Sequence, residues 1–522
     1  MQTLFDFIII GSGPAGVSAA FPLVNSGHKV LMIDAGTGTS INPPDTPFLT
    51  MREHDKNQFN WIIGKEFYAL NNIDLISPKF RVPFFEQTFK GFNEKNKIIS
   101  RNFVSIGSLS TGGLSNAWGC GVAKFSEEDL KNFPFNSLDI EKSYKNISER
   151  IGICGGTKDD LTEYFGLDNY ATAPLKADDL SIYLLDKYSK NKKYFSEFNL
   201  GRSRVAALSE DKGTRKKCDY SGNCLWGCKN RSLYSSIQDL DELKKYKNFH
   251  HLNNLFVDSF SDKKAFTEIF CTSNNNKSSF KAKNLILAAG TISTSRLVLK
   301  AITKIKSLSM QSCPTAAFLI WIPKMYLTPR KSTFGLGQVA FHFKIDETNL
   351  FGTLLNSNGV PISEYIRFMN YNKRGSIDIL NNILSSCMVG NIFLPGNLSV
   401  VKLSLTKSEN LKINGSYKPE AKELLLNAKK KLIWNFFKMG AVLMPGSFIV
   451  GKPGSDVHYS ASLPMKEKPS YGETNMYGKI YGLMNVYAVD GSCLTNLPEK
   501  SHTLTIMANA DRIATYLSKK GL

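Results

Sequence analysis

The chain has 522 residues, 42% of them apolar, and a formal net charge of +20. This length is enough for two or three domains with large buried cores, and no apolar run reaches the roughly 18–20 residues that span a bilayer. The basic residues are spread along the chain without an RNA- or DNA-binding motif, so we expect no nucleic-acid partner. Abundant Lys, Asn and Ile also result from biased genome composition, and the charge alone assigns no function.

The cysteines and the N-terminus indicate the compartment. There are nine cysteines, an odd number, and most are scattered singly, which is typical of reduced core thiols and not of a disulfide framework. The first six residues carry no basic segment of a signal peptide and lead directly into an apolar run. The sequence therefore predicts a cytoplasmic location. The single cysteines are Cys120, Cys154, Cys271, Cys313, Cys387 and Cys493.

The first motif in the chain is a dinucleotide-binding βαβ unit over residues 6–34. An all-apolar strand leads into a glycine-rich turn, a helix follows, and a second strand ends at Asp34. We expect Gly11 to make the tight turn, Gly13 to let backbone N–H groups approach a pyrophosphate, and Gly16 to let helix and strand pack closely. The helix N-terminus attracts the phosphates, and Asp34 is placed to accept hydrogen bonds from the adenosine ribose.

A second apolar strand ends at Gly290, and a helix follows over residues 293–300. Strand-like segments precede it, so the start, a middle stretch and the C-terminus are expected to return to one sheet. The predicted fold class is α/β, or α+β overall: a discontinuous Rossmann-like domain plus a substrate domain with an antiparallel sheet. The predicted division is 1–130, 246–304 and 451–522 for the first domain, and 131–245 and 305–450 for the second.

Four motifs occur in a fixed order along the chain: Gly11–Gly16, Gly112–Gly119, Leu287–Thr291 and a C-terminal block from Asp456 to Met507. Their order and spacing resemble the glucose–methanol–choline (GMC) family of FAD oxidoreductases, and the resemblance covers nearly the whole chain. Residues 305–450 match least clearly. The second motif is most similar to the branch that holds pyranose oxidases and bacterial sugar and polyol dehydrogenases.

The resemblance implies FAD as the cofactor. Some pyranose oxidases have a flavin-linked His at the position of Ala117, so the flavin here is expected to be bound non-covalently. Gly113, Ser115 and Asn116 are expected to supply further contacts to the flavin ring.

The C-terminal block is expected to hold the other half of the cofactor. Asp490 and Gly491 would meet the flavin phosphate or the ribityl chain. A helix predicted from Thr503 to Leu517 would point its N-terminus at flavin N1 and O2, where its partial positive charge stabilises negative charge on the ring.

Two of the seven histidines, His458 and His502, fall on the family's pair of side chains at the flavin face. Hydride leaves an alcohol carbon only as the hydroxyl proton departs, so a base of near-neutral pKa must reach that oxygen. We assign His458 as the base and His502 as the partner that orients the oxygen, although the two could exchange roles. The implied reaction is oxidation of the CH–OH group of a sugar, a polyol or another alcohol.

Cys218, Cys224 and Cys228 form the pattern C-x5-C-x3-C. Three thiolates are too few for a closed zinc site, but the spacing resembles the dehydrogenase branch that carries a 3Fe-4S centre. Such a cluster would relay electrons to an external acceptor, a cytochrome or a small partner subunit, and would favour a dehydrogenase over an oxidase. Lys229 replaces the proline usual in that branch, and the alternative is a stapled or merely buried loop. In that branch a small subunit carries the catalytic chain across the membrane, so a periplasmic location is the alternative to the cytoplasmic one.

Two other functions stay open from the sequence. One is a flavin-bearing lyase of the same fold without net redox chemistry. The other is a flavoprotein electron-transfer subunit whose catalytic partner is a separate chain. Both predict a bound flavin that no alcohol reduces in the isolated protein.

Overall fold

Three β-sheets organise the chain. Among the residues that the structure describes, no helix combines the length and the apolar character needed to cross a membrane. The structure is a computed structural model and describes residues 4–36, 42–70, 77–195, 197–274, 276–361, 363–366, 369 and 372–520.

The strands and helices are numbered in chain order. The strands are β1 (Leu4–Ile10), β2 (Val30–Ile33), β3 (Ile98–Arg101), β4 (Phe198–Arg202), β5 (Phe249–Leu252), β6 (Phe256–Asp262), β7 (Thr267–Ser273), β8 (Asn276–Leu287), β9 (Leu308–Ser312), β10 (Thr315–Trp321), β11 (Val339–Ile345), β12 (Thr348–Asn356), β13 (Cys387–Phe393), β14 (Ser399–Leu405), β15 (Leu411–Tyr417), β16 (Val442–Leu443), β17 (Ile449–Val450), β18 (Tyr459–Ser460) and β19 (Val486–Ala488). The α-helices are α1 (Pro14–Asn25), α2 (Phe48–His54), α3 (Gln58–Ile62), α4 (Glu86–Phe89), α5 (Phe92–Lys95), α6 (Glu127–Leu130), α7 (Ser137–Ile151), α8 (Thr162–Phe165), α9 (Asp179–Lys190), α10 (Ser236–Leu243), α11 (Thr291–Ala301), α12 (Ser363–Ile366), α13 (Lys373–Ile383), α14 (Pro419–Lys438) and α15 (Thr503–Lys519).

The first sheet has the order β5-β2-β1-β8-β7-β6, with β19 beside β8. Strands β5, β2, β1, β8 and β19 run parallel, with Ile8 opposite both Leu31 and Leu285. The apolar run at the end of β1 is buried on both faces, as parallel strands require. The prediction that the start, a middle stretch and the C-terminus share one sheet is confirmed.

The second sheet is antiparallel, in the order β16-β10-β13-β12-β11-β4, with β17 beside β10. It has its own hydrophobic core, to which α9 and α14 contribute. Its central strands are β13 and β12, with β10 and β11 on either side of them. The predicted fold class, a Rossmann-like domain plus a domain with an antiparallel sheet, is confirmed.

A third sheet, β18-β9-β14-β15-β3, was not predicted. It joins β3 from the N-terminal segment to β15 from residues 305–450, in parallel. Residues 131–245 also divide between the layers, because α7 packs on α15 and α10 on α1, while β4 belongs to the second sheet. The two predicted substrate segments thus contribute to both parts of the molecule, and the division by residue number stays a prediction.

Candidate active site

A cavity of about 1270 Å³ is lined by residues of both large sheets. It starts at the glycine-rich turn after β1 and extends to strands of the antiparallel sheet. Ligand pockets usually measure roughly 300–1,000 Å³. The larger volume fits a space that holds an extended cofactor together with a substrate.

The glycine-rich turn has the geometry of a close backbone approach. Gly11 has a φ of +99°, in the left-handed region, and a Cβ on Gly16 would lie 1.9 Å from the carbonyl oxygen of Gly11. A Cβ on Gly13 would meet no atom within 4 Å, and Gly13 lines the cavity. This geometry agrees with the tight turn and the close packing expected of Gly11 and Gly16. The pyrophosphate contact at Gly13 stays a prediction.

Asp34 lines the cavity at the end of β2. Its Oδ1 accepts a hydrogen bond from the backbone N–H of Ser12 at 2.9 Å, and its Oδ2 lies 3.0 Å from Nε2 of His251 on β5. A carboxylate has about four acceptor positions, so capacity remains for the predicted ribose contact. No pattern in the sequence pointed to His251, because β5 reaches β2 only through the tertiary fold.

Of the three residues expected to contact the flavin ring, Gly113, Ser115 and Asn116, only two lie at the cavity. Gly113 and Ser115 line the cavity, whereas Asn116 is not among the lining residues. The Asn116 amide donates to the carbonyl oxygen of Thr111 at 2.9 Å, and its oxygen accepts from the hydroxyl of Ser235 at 2.8 Å. The side chain of Asn116 fixes the turn, and a direct contact between Asn116 and the cofactor has no support in this arrangement.

Asp490 and Gly491 both line the cavity, but the Asp490 carboxylate is already hydrogen-bonded to other groups of the protein. It accepts hydrogen bonds from the N–H of Gly290 at 2.9 Å, the hydroxyl of Thr294 at 2.5 Å and the N–H of Ser492 at 3.0 Å. Burial raises the pKa of Asp490. The carboxylate therefore ties the turn before α11 to the C-terminal block, and its predicted contact with the cofactor stays untested.

Helix α15 begins at Thr503, as predicted, and extends to Lys519. Ser501, His502 and Thr503 line the cavity at its N-terminus. The partial positive charge of a helix N-terminus is therefore directed at the space that the resemblance assigns to the flavin ring.

His458 and His502 are brought together at the cavity from segments 44 residues apart. Their ring centroids are 5.0 Å apart and the ring planes meet at 77°. Both residues line the cavity. His458 also packs against Phe393 of the antiparallel sheet, with centroids 5.1 Å apart. The pair thus lies where the two halves of the cavity meet.

Both rings are neutral in the folded chain at neutral pH. Burial lowers the pKa of His458 to about 4, and burial together with the nearby His458 lowers the pKa of His502 well below its usual value. Nδ1 of each ring is buried without a hydrogen-bond partner among the described residues. A neutral imidazole has one nitrogen that accepts a proton and one that donates a hydrogen bond. Together the two rings can accept a hydroxyl proton and hold the oxygen.

Asp456 positions His458. Its carboxylate accepts hydrogen bonds from the hydroxyl of Ser312 at 2.6 Å, the N–H of Cys313 at 2.8 Å and the N–H of His458 at 3.1 Å. Between them Val457 has a φ of 61°, an unfavourable conformation for a β-branched residue. Burial raises the pKa of Asp456 to about 7. This role of Asp456 was not predicted from the sequence, although an Asp two residues before a turn amide is a recognisable pattern.

Cys313, Asp456 and His458 each bring one ligand atom within 4.8 Å of the others, the one such group among the described residues. A single metal ion could bridge atoms at that spacing. Because the Asp456 carboxylate already accepts three hydrogen bonds, we assign the group to the positioning of His458.

A buried polar cluster adjoins His502. Glu499, 2% exposed, accepts a hydrogen bond from the Tyr164 hydroxyl at 3.0 Å, and burial raises its pKa to about 7. The next residue, Lys500, forms a buried ion pair with Asp129 at 2.7 Å. His342, whose role the sequence left open, stacks on Tyr164 with centroids 4.4 Å apart and does not line the cavity. This cluster holds the segment that carries His502.

Cys218, Cys224 and Cys228 line one small pocket. Burial raises the pKa of all three thiols, and the N–H of Gly335 donates to Sγ of Cys224 at 3.3 Å. The three sulfur atoms do not all lie within 4.8 Å of one another, so among the described residues this loop does not hold a single small ion. A 3Fe-4S cluster at these three cysteines has no support in this arrangement beyond the shared pocket, and it stays a prediction.

The part of the cavity against the second sheet is mainly apolar. Of its few polar groups, the Asn391 side-chain oxygen already accepts hydrogen bonds from the N–H and hydroxyl of Thr353 at 2.9 and 3.0 Å. Its apolar lining includes Ala316, Phe318, Leu319, Leu336, Phe351, Leu355, Val389, Phe393, Met444 and Ile449.

Comparison with known proteins agrees with this architecture. The family model described as pyridine nucleotide-disulphide oxidoreductase matches residues 5–108. Among curated proteins no sequence matches the chain.

Two of the solved structures that resemble the chain are matched over all or nearly all of their length. Pyridoxine 4-oxidase from Mesorbium loti is 12% identical, with a TM-score of 0.62, and the match covers 99% of this chain and 100% of that chain. The R554A variant of formate oxidase from Aspergillus oryzae RIB40 is 11% identical, with a TM-score of 0.61 and 98% of each chain covered. The chain therefore has the fold of these oxidases, and the fold implied by the resemblance to the GMC family is confirmed.

Proposed function

We propose that the chain is an FAD-dependent oxidoreductase that oxidises the CH–OH group of a small-molecule alcohol. The observation that carries the proposal is the pair of His458 and His502, 5.0 Å apart on a cavity that continues to the glycine-rich turn. The likeness in fold to two oxidases, one of them a formate oxidase that contains FAD, supports it.

Bound FAD would supply the acceptor for the hydride of the substrate carbon. The residues that would hold it are those of the glycine-rich turn, Asp34 and the N-terminus of α15. Their arrangement fits, because Gly13 leaves open space and Asp34 keeps free acceptor capacity at the cavity wall.

In this proposal His458 takes the hydroxyl proton and His502 holds the oxygen in place. With a pKa of about 4, His458 is a weak base in the free protein. Departure of the hydride would leave the substrate oxygen in a protonated carbonyl group, whose proton is far more acidic than that of the alcohol. Transfer of this proton to His458 would therefore become favourable as the hydride leaves, even though the ring is a weak base. Asp456 keeps the ring at its position through the backbone N–H of His458.

Within the class of sugars, polyols and other alcohols, we propose an alcohol with a largely apolar body. A sugar leaves several hydroxyl groups to be paired, and an unpaired buried hydroxyl costs about 1–3 kcal/mol. The wall formed by the second sheet presents mainly Phe, Leu, Val and Met side chains. Bulky aromatic and aliphatic alcohols should therefore bind better than sugars.

The three-cysteine loop favours an external electron acceptor, and thus a dehydrogenase, over O₂. Its thiols surround one pocket, and a backbone N–H donates to Cys224, as in many iron–sulfur sites. A 3Fe-4S cluster there would pass electrons to a cytochrome or a partner subunit. Iron analysis and EPR of anaerobically purified protein test this, with Cys218→Ser as the ligand variant and Cys271→Ser, a buried thiol elsewhere, as its control. Wild-type protein without iron would leave the loop structural and the acceptor as O₂ or a diffusible molecule.

The flavin reaction is tested by adding a panel of alcohols to anaerobic protein and following the flavin absorbance. We expect an apolar alcohol to bleach the flavin and His458→Ala to abolish bleaching while the flavin stays bound. The control is His54→Ala, a histidine whose side chain is 75% exposed. Near-normal bleaching in the His458 variant would contradict the base assignment. A bound flavin that no alcohol bleaches would favour the lyase or the electron-transfer subunit, and bleaching by sugars alone would contradict the apolar substrate.

A further inference from the structure

The outward face of α14 carries a row of large apolar side chains. Leu426, Ile433, Trp434 and Phe437 are 60%, 42%, 59% and 64% exposed, and the rings of Trp434 and Phe437 stack with centroids 6.2 Å apart. At 3.6 residues per turn the four fall within an arc of about 100°. Single exposed apolar residues are ordinary, but a contiguous group is typical of a binding surface. We call these four residues the apolar stripe.

The stripe is separate from the core face of α14. The opposite side of the helix packs into the core of the second sheet. The helix therefore has two apolar faces, and in the described part of the chain only the inner one is covered. The buried residues are Ala421, Leu425, Ala428, Leu432 and Phe436.

Lysines border the stripe on both sides. By helical geometry Lys422 and Lys429 lie along one edge, Lys431 and Lys438 along the other, and Lys430 within it. The helix has five lysines and two glutamates. Of the five lysines, Lys431 is paired with a carboxylate, Glu197 at 2.8 Å.

An aromatic turn extends the surface at the end of the helix. Lys438 donates to the carbonyl oxygen of Tyr194 at 3.0 Å, and the Tyr194 side chain is 55% exposed. The amine of Lys193 lies 5.1 Å from the Tyr194 ring. The surface thus combines Trp, Tyr and Phe with lysines, of which Lys422 and Lys430 are exposed.

We propose that the apolar stripe docks on the anionic surface of a phospholipid membrane. The apolar side chains would enter the headgroup region, and the bordering lysines would meet lipid phosphates. Trp and Tyr favour this region because their rings are amphipathic, and lysine stems cover apolar surface while the amines stay in water. The net charge of +20 adds long-range attraction to negative lipid.

The charge of the lysine borders also shows which partner suits the apolar stripe, a membrane or a second copy of the chain. A two-fold contact through the stripe would place the lysine borders of two copies against each other, and like charges at an interface oppose association. Negative lipid headgroups complement the same border. The stripe is therefore assigned to the membrane.

The test is co-sedimentation of the full chain with vesicles of phosphatidylcholine alone or mixed with anionic phosphatidylglycerol. We expect binding to the anionic vesicles, weakened by salt. The double variant Trp434→Ser, Phe437→Ser should bind roughly tenfold or more weakly, since two large apolar groups no longer enter the lipid. Leu138→Ser, which removes an apolar side chain 82% exposed on α7, is the control and should bind like the wild type.

Light scattering, flavin absorbance and melting temperature of each variant accompany the vesicle assay. None of the stripe residues lines the cavity, so the double variant should keep the flavin spectrum of the wild type. An unchanged melting temperature and flavin spectrum would show that the variant is folded. Equal vesicle binding by wild type and double variant would overturn the proposal, as would absence of binding. If the wild type is a dimer and the double variant is a monomer, the stripe binds a second copy of the chain, and the membrane proposal is overturned as well.

Discussion

Nε2 of His251 lies 3.0 Å from Oδ2 of Asp34, a residue 217 positions earlier in the chain. The two side chains are 7% and 6% exposed, so the contact is shielded from water. Because Asp34 also accepts the N–H of Ser12, its carboxylate is fixed by two contacts at the wall of the cavity. His251 thus determines which oxygen positions of Asp34 remain for a cofactor.

The first prediction concerns this contact. His251→Ala should weaken FAD binding by about five- to tenfold, because a net hydrogen bond of about 1 kcal/mol no longer orients Asp34. Asp34→Ala should weaken it more. FAD fluorescence titration of the apoprotein measures both, and His250→Ala is the control, since His250 is exposed and packs on Phe5. Unaltered affinity in the His251 variant would show that Asp34 needs no orientation.

The second prediction separates two glycines of the nucleotide turn. Gly16→Ala should destabilise the apoprotein by about 2–4 kcal/mol, because its Cβ would lie 1.9 Å from the backbone oxygen of Gly11. Gly13→Ala should leave apoprotein stability within about 1 kcal/mol of wild type, since its Cβ meets no protein atom within 4 Å. It should nevertheless reduce FAD affinity at least tenfold by occupying cofactor space. Urea unfolding and FAD titration distinguish these effects, and normal FAD binding by the Gly13 variant would place the pyrophosphate elsewhere.

The third prediction follows from the low pKa of His458. The folded pKa of about 4 lies below the ordinary value of 6.5, so the unfolded chain binds this proton first as the pH falls. Stability tied to His458 is therefore present above pH 6.5 and is lost towards pH 4. His458→Asn should be less sensitive than wild type to pH between those values. Melting temperature against pH checks this, and parallel curves for the two proteins would contradict it.

The fourth prediction uses Glu499, whose pKa burial raises to about 7 from 4.5. A raised carboxyl pKa means that the stability this group contributes is complete below pH 4.5 and is lost as the pH rises through 7. Glu499→Gln, which can still accept the Tyr164 hydroxyl, should melt higher than wild type at pH 8 and similarly at pH 4.5. Differential scanning fluorimetry measures the difference. Glu128→Gln, an exposed carboxylate, is the control, and a Glu499 variant that melts below wild type at pH 8 would contradict the prediction.

Local elements could be predicted from the sequence because a few neighbouring residues determine each of them. The strand–turn–helix unit from β1 to α1, the turn at Gly290 and the start of α15 at Thr503 each depend on neighbouring residues. The contact of Asp34 with His251 was not visible, because the two residues come from distant segments. The same holds for the contact of Asp490 with Thr294 and for that of Asp456 with Ser312. The parallel pairing of β3 with β15 was hidden for the same reason, and it blurs the predicted domain boundaries.

By itself the sequence determined the fold class, the nucleotide turn and the two histidines at the end of the chain, since short-range backbone preferences and motif spacing encode them. Only the tertiary structure decided that His458 and His502 face each other, that burial lowers their pKa values, and that the cavity beside them is mainly apolar. It also decided that no described residue covers the second apolar face of α14. Distances, desolvation and exposure depend on which remote segments meet, and no local pattern specifies that.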